Sequence, residues 1–227
     1  MDFWYWLLIV ATVLSMAASV KVNSTFRKYT QIRSRTNMTG AEVAQRLLYA
    51  NGIHDVSIEH ISGSLTDHYD PSAKVLRLSD SVYGSSSVAA VAVAAHECGH
   101  AVQHHVGYVP ISIRSALVPI ANFGAKISWP LILIGLLIGG SGSVILLEIG
   151  IILFSAAVLF QIVTLPVEFD ASARALRFLE SNGILTGDER GPARKVLSAA
   201  AMTYVAAAAV SVIQLLRLVS ILNRRRD

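Results

Sequence analysis

The sequence predicts a mainly α-helical membrane protein, with three to four transmembrane helices and a small α+β domain that contains a short sheet. Hydrophobic residues make up 53% of the 227-residue chain, and charged residues make up only 15%. The mean hydropathy of +0.54 is that of a membrane protein rather than of a soluble domain. Several apolar runs also approach the 20 or so residues that a helix needs to cross a bilayer.

The basic character of the chain fits a membrane better than a nucleic acid. The formal net charge is +4, and the isoelectric point is near 9.4. Basic residues cluster beside apolar runs, as the positive-inside rule and anionic lipid predict. We therefore predict a lipid bilayer as a partner and no nucleic acid, and nothing in the sequence indicates an oligomeric state. Cys98 is the single cysteine, so no internal disulfide can form.

Residues 1–20 are predicted to form an N-terminal transmembrane anchor. The run from Asp2 to Val20 is apolar and long enough to cross once. A cleavable signal peptide carries positive charge before its apolar run, whereas here Asp2 stands in that place. The positive charge follows the run instead, at Lys21, Arg27, Lys28, Arg33 and Arg35. This asymmetry predicts that the N-terminus lies outside and that the next segment is cytoplasmic.

Residues 21–115 are predicted to be this cytoplasmic part. Its expected elements are a helix over residues 41–50 and strands over residues 56–61 and 74–78. The capping box from Thr39 to Glu42 opens the helix, and Asn51-Gly52 ends it. Alternation of apolar and polar residues indicates the strands. The segment from Asp67 to Pro71 has the composition of a turn, which we favour over a set of metal ligands.

The central motif is His96-Glu-Cys-Gly-His100, in a helix predicted over residues 86–105. His96 and His100 are four residues apart, so their imidazoles project from one helix face and can bind one ion. Glu97 lies beside them, where it can polarise a water on that ion. Two neutral imidazoles and a carboxylate suit Zn²⁺ and leave a fourth position for water. The apolar run before His96 is too short to span a bilayer, so the motif is predicted outside the membrane.

Residues 116–165 are predicted to form a transmembrane hairpin. Its two apolar spans cover residues 116–140 and 143–165, and Gly139-Gly-Ser-Gly142 is expected to be a tight turn. Glu148 follows this turn closely, which predicts a position in the outer membrane interface.

Residues 166–227 follow the hairpin. A helix is predicted to start near Pro166 and to end at Asn182-Gly183. A second, apolar helix is predicted over residues 193–223. It is long enough to cross, but the positive charge at Arg224-Arg-Arg226 would then lie outside. The sequence leaves open whether this helix crosses or packs on the metal-binding part.

Three residues are candidates for the third metal ligand: His104, His105 and Glu168. His104 lies too far along the axis of a straight helix, and no glycine turns the chain between His100 and His104. The hairpin returns the chain to the membrane face that it left, which predicts that Glu168 emerges near the histidine pair. We predict the metal ligands His96, His100 and Glu168, the cofactor Zn²⁺ and the catalytic residue Glu97.

On these motifs, the chain resembles the YugP-like membrane zinc metallopeptidases of bacteria, a family of neutral zinc metallopeptidases. The resemblance is carried by residues 67–71, 88–95, 96–104, 165–172 and 199–206. More distantly, the chain is similar to the HtpX and CAAX-prenyl endopeptidase gluzincins, in which an E-x-x-A-D stretch supplies the third ligand. Glu168 and Ala171 match that stretch, but Ser172 replaces its aspartate. Asp170 comes two residues early and is expected to contact the second ring nitrogen of a ligand histidine.

Motif and resemblance together imply a zincin-like metallopeptidase domain in a membrane-anchored zinc endopeptidase. Its expected substrates are peptide bonds of membrane or misfolded proteins, attacked by a zinc-bound water that Glu97 activates. The resemblance implies a multi-pass protein of the bacterial inner membrane, and the charge pattern predicts an active site at the cytoplasmic face. Candidates for stabilising the oxyanion are Tyr83, His104 and Tyr204. The alternatives are a non-proteolytic zinc-binding membrane sensor or scaffold and, less favoured, an intramembrane protease.

Overall fold

The computed structural model describes residues 3–138 and 140–226 and confirms the mainly α-helical architecture. The elements are α1 (Phe3–Thr30), α2 (Gly40–Ala50), β1 (Ser57–Ile61), β2 (His68–Asp70), β3 (Val75–Ser79), α3 (Val88–His105), α4 (Val109–Leu137), α5 (Ser141–Ser181) and α6 (Arg190–Arg226), with a 3₁₀ turn at Gly187–Glu189. Helices α1, α4, α5 and α6 are long and apolar enough to cross a membrane. Asp2 and Gly139, which the sequence places in the first span and the hairpin turn, lie outside the described residues.

Contacts divide the chain into two compact units. The helical unit comprises Met1–Ala18, Ser112–Pro166 and Thr203–Asp227. The mixed unit comprises Ser19–Ile111 and Val167–Met202 and contains the sheet together with α2 and α3.

The hairpin of the helical unit is closely packed. A Cβ atom added to Gly124 would lie 2.5 Å from the carbonyl oxygen of Leu153. One added to Gly150 would lie 2.6 Å from Cγ1 of Ile132. Since neither contact leaves room for a methyl group, these glycines allow α4 and α5 to approach each other as the predicted hairpin requires.

The end of α6 lies at the α4–α5 turn of the helical unit. Arg225 Nη1 donates hydrogen bonds to the Gly135 carbonyl at 2.7 Å and to Ser143 Oγ at 2.8 Å. Arg226 forms an ion pair with Glu148 at 2.6 Å. The C-terminal arginines therefore satisfy carbonyls at the end of α4 and neutralise the acidic side chain near the turn.

The predicted helix start near Pro166 is wrong, because α5 is continuous from Ser141 to Ser181 and Pro166 lies within it. Proline lacks an N–H for the carbonyl four residues earlier, but apolar helices tolerate this loss when neighbouring groups compensate. Glu168 thus lies on the continuation of the second hairpin helix. The predicted end at Asn182-Gly183 is confirmed, since Gly183 has a φ of +63°.

The sheet of the mixed unit has three strands in the order β1-β3-β2, with β1 parallel and β2 antiparallel to β3. Strand β2 occupies His68–Asp70, so the predicted turn over Asp67–Pro71 is wrong in position. The turn comes after the strand, where Asp70 Oδ1 accepts hydrogen bonds from the Ser72 amide, the Ser72 hydroxyl and the Ala73 amide. This strand is only three residues long, and its pairing with β3 supplies the hydrogen bonds that form it.

The core of the mixed unit forms around α2 and α3. The Thr39–Glu42 capping box of α2 is confirmed by hydrogen bonds in both directions. Helix α3 begins one residue after its N-cap Ser87, whose hydroxyl accepts from the Ala90 amide. The largest fully buried hydrophobic residues of this core are Val43, Leu47, Leu48, Leu76, Leu78, Val82, Leu179 and Ile184. Burial of α3 in this core, on nearly all sides along its first two turns, holds the helix that carries the central motif.

Candidate metal centre

Helices α3 and α5 cross at a glycine inside the central motif. A Cβ atom on Gly99 would lie 2.7 Å from the carbonyl oxygen of Ala171 and 3.1 Å from its Cα atom. Real side chains do not make such short contacts, so only glycine permits this approach. Glu168 lies three residues before Ala171 on α5, and the crossing brings its carboxylate to the histidines of α3.

The three predicted ligands converge. Glu168 Oε2 lies 3.2 Å from His96 Nε2 and 3.7 Å from His100 Nε2. One ligand atom from each residue falls within 4.8 Å of the others. Ligand atoms bound about 2.1 Å from a tetrahedral ion lie about 3.4 Å apart, so these spacings fit Zn²⁺. The imidazole rings are nearly perpendicular, at 84°, with centroids 4.7 Å apart.

The burial of Glu168 and His100 also favours a bound cation. Glu168 is only 2% exposed and His100 only 9%. A buried carboxylate requires a compensating positive charge, which a divalent cation supplies. Burial alone would lower the pKa of His100, but its hydrogen bond to Glu168 and the charges of Glu97 and Glu168 raise that pKa above its ordinary value. The site is therefore electrostatically suited to a cation.

Each histidine makes a polar contact through its second ring nitrogen. His96 Nδ1 lies 3.2 Å from the hydroxyl oxygen of Ser172. Ser172 is four residues after Glu168 on α5, so its hydroxyl reaches the same group of side chains. His100 Nδ1 lies 3.0 Å from Oε1 of Gln103. These contacts orient both rings with Nε2 towards Glu168.

The expected direct contact between Asp170 and a ligand histidine is wrong, because Gln103 lies between them. Asp170 Oδ2 accepts hydrogen bonds from Gln103 Nε2 at 2.9 Å and from Arg174 Nε at 2.5 Å. Sequence reasoning missed Gln103. Its position three residues after His100, on the same face of α3, was the available signal.

Glu97 follows His96 on α3 and is 8% exposed. Its charge contributes to the raised pKa of His100, so it acts on the same site. Cys98 packs in the core, where its thiol approaches the Ala44 carbonyl at 3.6 Å. Burial raises the pKa of this thiol well above its usual range. Cys98 is thus a core residue, as its place on the helix predicts.

The other candidate ligands and the candidates for stabilising the oxyanion lie outside the His–His–Glu group. The ring of His104 lies 5.7 Å from that of Tyr69 on β2, and His104 and His105 line a cavity of about 230 Å³. Tyr83 packs edge-on against His60, with ring centroids 5.4 Å apart. Tyr204 belongs to the helical unit. Within residues 3–138 and 140–226, the group placed to share one ion is His96, His100 and Glu168.

Helices apolar enough to cross a membrane, together with a His–His–Glu group built on an H-E-x-x-H helix, are the features expected of a membrane metallopeptidase. A family model described as "Putative neutral zinc metallopeptidase" matches residues 4–223, and the chain belongs to that family. The "Putative membrane protease YugP" of Bacillus subtilis (strain 168) is 48% identical over 221 residues, which cover 97% of either chain. No solved structure matches this chain. The resemblance that the motifs indicate is therefore confirmed.

Proposed function

We propose that this protein is a membrane-anchored zinc endopeptidase. The observation that carries the proposal is the convergence of Glu168 on His96 and His100 at spacings suited to a tetrahedral ion. Membership of a zinc metallopeptidase family supports the same reaction. A zinc-binding sensor would need the three ligands but would have no use for Glu97, so the intact motif favours hydrolysis.

In the proposed mechanism, His96, His100 and Glu168 would hold Zn²⁺, and the bound ion would supply Lewis acidity to a water and to the scissile carbonyl. Glu97 takes a proton from the attacking water as the new C–O bond forms. Glu97 then delivers that proton to the leaving amine as the C–N bond breaks. The Ser172 and Gln103 contacts keep the two imidazoles oriented during these transfers.

The substrate is proposed to bind as an extended peptide along β2. Among the described strands, β2 is an edge strand that pairs with β3 on one side only. Its Tyr69 ring lies beside His104 of α3, one helical turn beyond the proposed ligand His100. A peptide added to the outer edge of β2 would therefore run alongside the metal helix, which is the strand-addition mode of binding.

The proposed location is the inner membrane of a bacterium, with the active site at the cytoplasmic face. Support comes from the basic residues after the first span and from two contacts in the helical unit. The guanidinium of Arg217 lies 5.8 Å from the ring centre of Tyr5, and Arg226 pairs with Glu148. Tyr5 in the first turn of α1 and Glu148 near the α4–α5 turn thus both contact the last third of α6, which favours four crossings. Membrane or misfolded proteins at the cytoplasmic face are the proposed substrates.

The test uses the full chain purified in detergent and loaded with zinc. We expect it to cleave an unfolded model protein, and we expect a zinc chelator to stop the cleavage. Glu97→Gln should retain stoichiometric zinc and lose turnover, because only the proton transfer is removed. Undiminished cleavage by Glu97→Gln would refute the mechanism. Stoichiometric zinc without cleavage by the parent protein would favour the sensor instead.

A further inference from the structure

Gln103 is a fully buried amide one turn beyond His100 on α3. Its side chain makes three polar contacts: to His100, to the backbone of Val167 and to Asp170. We propose that Gln103 is a positioning residue that keeps a hydrogen on His100 Nδ1 and thereby reserves His100 Nε2 for the metal. This inference rests on the zinc site proposed above.

The orientation of the amide is determined by the two groups facing its nitrogen. Gln103 Nε2 lies 2.8 Å from the carbonyl oxygen of Val167 and 2.9 Å from Asp170 Oδ2. A backbone carbonyl is an acceptor only, so the amide atom that faces Val167 must be the nitrogen. Both amide hydrogens of Gln103 are therefore used as donors. Reversing the amide would place its oxygen against two acceptors and leave buried groups unsatisfied.

Arg174 holds the side chain of Asp170 in place beside Gln103. Its Nε atom donates to Asp170 Oδ2 at 2.5 Å, and its guanidinium lies 5.7 Å from the ring centre of Tyr108. Asp170, two residues after Glu168 on α5, thus contacts the proposed metal site through Gln103.

The remaining polar atom of the amide determines the tautomer of His100. Gln103 Oε1 can only accept, and it lies 3.0 Å from His100 Nδ1, so Nδ1 carries the hydrogen. The lone pair available for a metal is then on Nε2, which is the nitrogen nearest Glu168. His96 differs, because its neighbour Ser172 offers a hydroxyl that can donate or accept. The tautomer of His100 is therefore determined by its surroundings more strongly than that of His96.

Gln103 also connects the two helices of the site. Val167, whose carbonyl accepts from Gln103, immediately precedes Glu168. A single buried side chain thus restrains a ligand on α3 and the backbone next to a ligand on α5. A residue that only linked the two helices would also donate hydrogen bonds from Nε2 to α5. The test must therefore separate the role of Gln103 Oε1, which accepts from His100, from the role of Gln103 Nε2, which donates to α5.

Two substitutions make this separation. Gln103→Met has a similar volume and removes both functions, whereas Gln103→Glu keeps an acceptor for His100 Nδ1 and loses the donors. Gln214→Met is the matched control, because Gln214 is a buried glutamine of the helical unit. Zinc affinity is measured on the full-length protein by competition with a chelator. The Nδ1–H proton of His100 is followed by NMR in protein saturated with zinc and labelled with ¹⁵N-histidine.

We expect Gln103→Met to lower zinc affinity by about 10- to 100-fold, the range for groups that orient metal ligands. The His100 Nδ1–H resonance should lose its downfield, hydrogen-bonded position. Gln103→Glu should retain a downfield resonance and bind zinc more tightly than Gln103→Met, and Gln214→Met should match the parent protein. If Gln103→Met fails to fold, Gln103→Glu is sufficient to test the inference. Its His100 Nδ1–H resonance should stay downfield and its zinc affinity should be retained.

Zinc affinity of Gln103→Met within twofold of the parent value would overturn the inference. Equal losses of zinc affinity in Gln103→Met and Gln103→Glu would also overturn it, and so would a Gln103→Glu protein without the downfield resonance. In either case, a link between α3 and α5 would be enough to explain the role of Gln103. A parent protein that binds no zinc would instead refute the proposed function. The two failures are thus distinguishable.

Discussion

Substitution of Gly99 by alanine is expected to disrupt the metal site without removing a ligand. The added methyl carbon would lie 2.7 Å from the Ala171 carbonyl oxygen, on the helix that carries Glu168. An ordinary contact is about 3.5 Å, so α3 and α5 must separate by about 0.8 Å at this point. Metal–ligand distances tolerate deviations of only about 0.2 Å. Glu168 would then no longer share an ion with both histidines in the same geometry.

The expected magnitude follows from the overpacking. Forcing a methyl group into a close-packed contact costs about 1–3 kcal/mol. If that cost falls on the metal-bound arrangement, zinc affinity decreases by about 5- to 150-fold, since 1.4 kcal/mol corresponds to a factor of ten. Peptidase activity at limiting zinc should decrease in parallel.

The assay is a zinc titration against a competing chelator, with thermal unfolding of the apo protein measured in parallel. Gly191→Ala is the matched control, because a Cβ atom there meets nothing within 4 Å and the residue lies in α6 of the same unit. That control should bind zinc like the parent protein. Parent-like zinc affinity in Gly99→Ala would refute the idea that this crossing positions Glu168.

Three further predictions concern the ligands and the topology. Glu168→Gln should lower zinc affinity by more than about 100-fold, beyond the usual effect of groups that only orient ligands; retained stoichiometric zinc at low metal concentration would exclude Glu168 as a ligand. Ser172→Asp should raise zinc affinity by up to about tenfold, because a carboxylate is a stronger acceptor for the Nδ1–H of His96; chelator competition tests this, and unchanged or weaker binding would contradict it. In a Cys98→Ala background, an impermeant thiol reagent applied to intact cells should label a cysteine added at the C-terminus but not Ser72→Cys. The reverse pattern would contradict the proposed orientation.

Local sequence patterns predicted the elements whose structure depends on near neighbours. The capping box of α2 follows from two side chains three residues apart, Thr39 and Glu42. The length and composition of the apolar runs predicted the helices that can cross a membrane. The presence of His96 and His100 on one helix face follows from a spacing of four residues.

Two elements were predicted incorrectly because distant contacts or helix continuity outweighed local preference. Strand β2 forms where Asp67–Pro71 reads as a turn, since pairing with β3 supplies its hydrogen bonds. Helix α5 continues through Pro166, although proline is a common first residue of helices. The sequence shows which residues can form either a turn or a strand, or either begin or continue a helix. It does not show the partners that decide between these conformations.

The sequence by itself determined the chemistry of this protein: an H-E-x-x-H helix, apolar spans and a short set of candidates for the third ligand. Only the tertiary structure decided which candidate meets the histidines. Glu168 is 72 residues from His96 along the chain, and their approach depends on the close crossing of α3 and α5 at Gly99. Residue spacing defines the faces of a single helix, whereas contact between two helices depends on how closely their surfaces pack. For the same reason, the contacts of Gln103 and Ser172 with the two histidines became recognisable only in the folded chain.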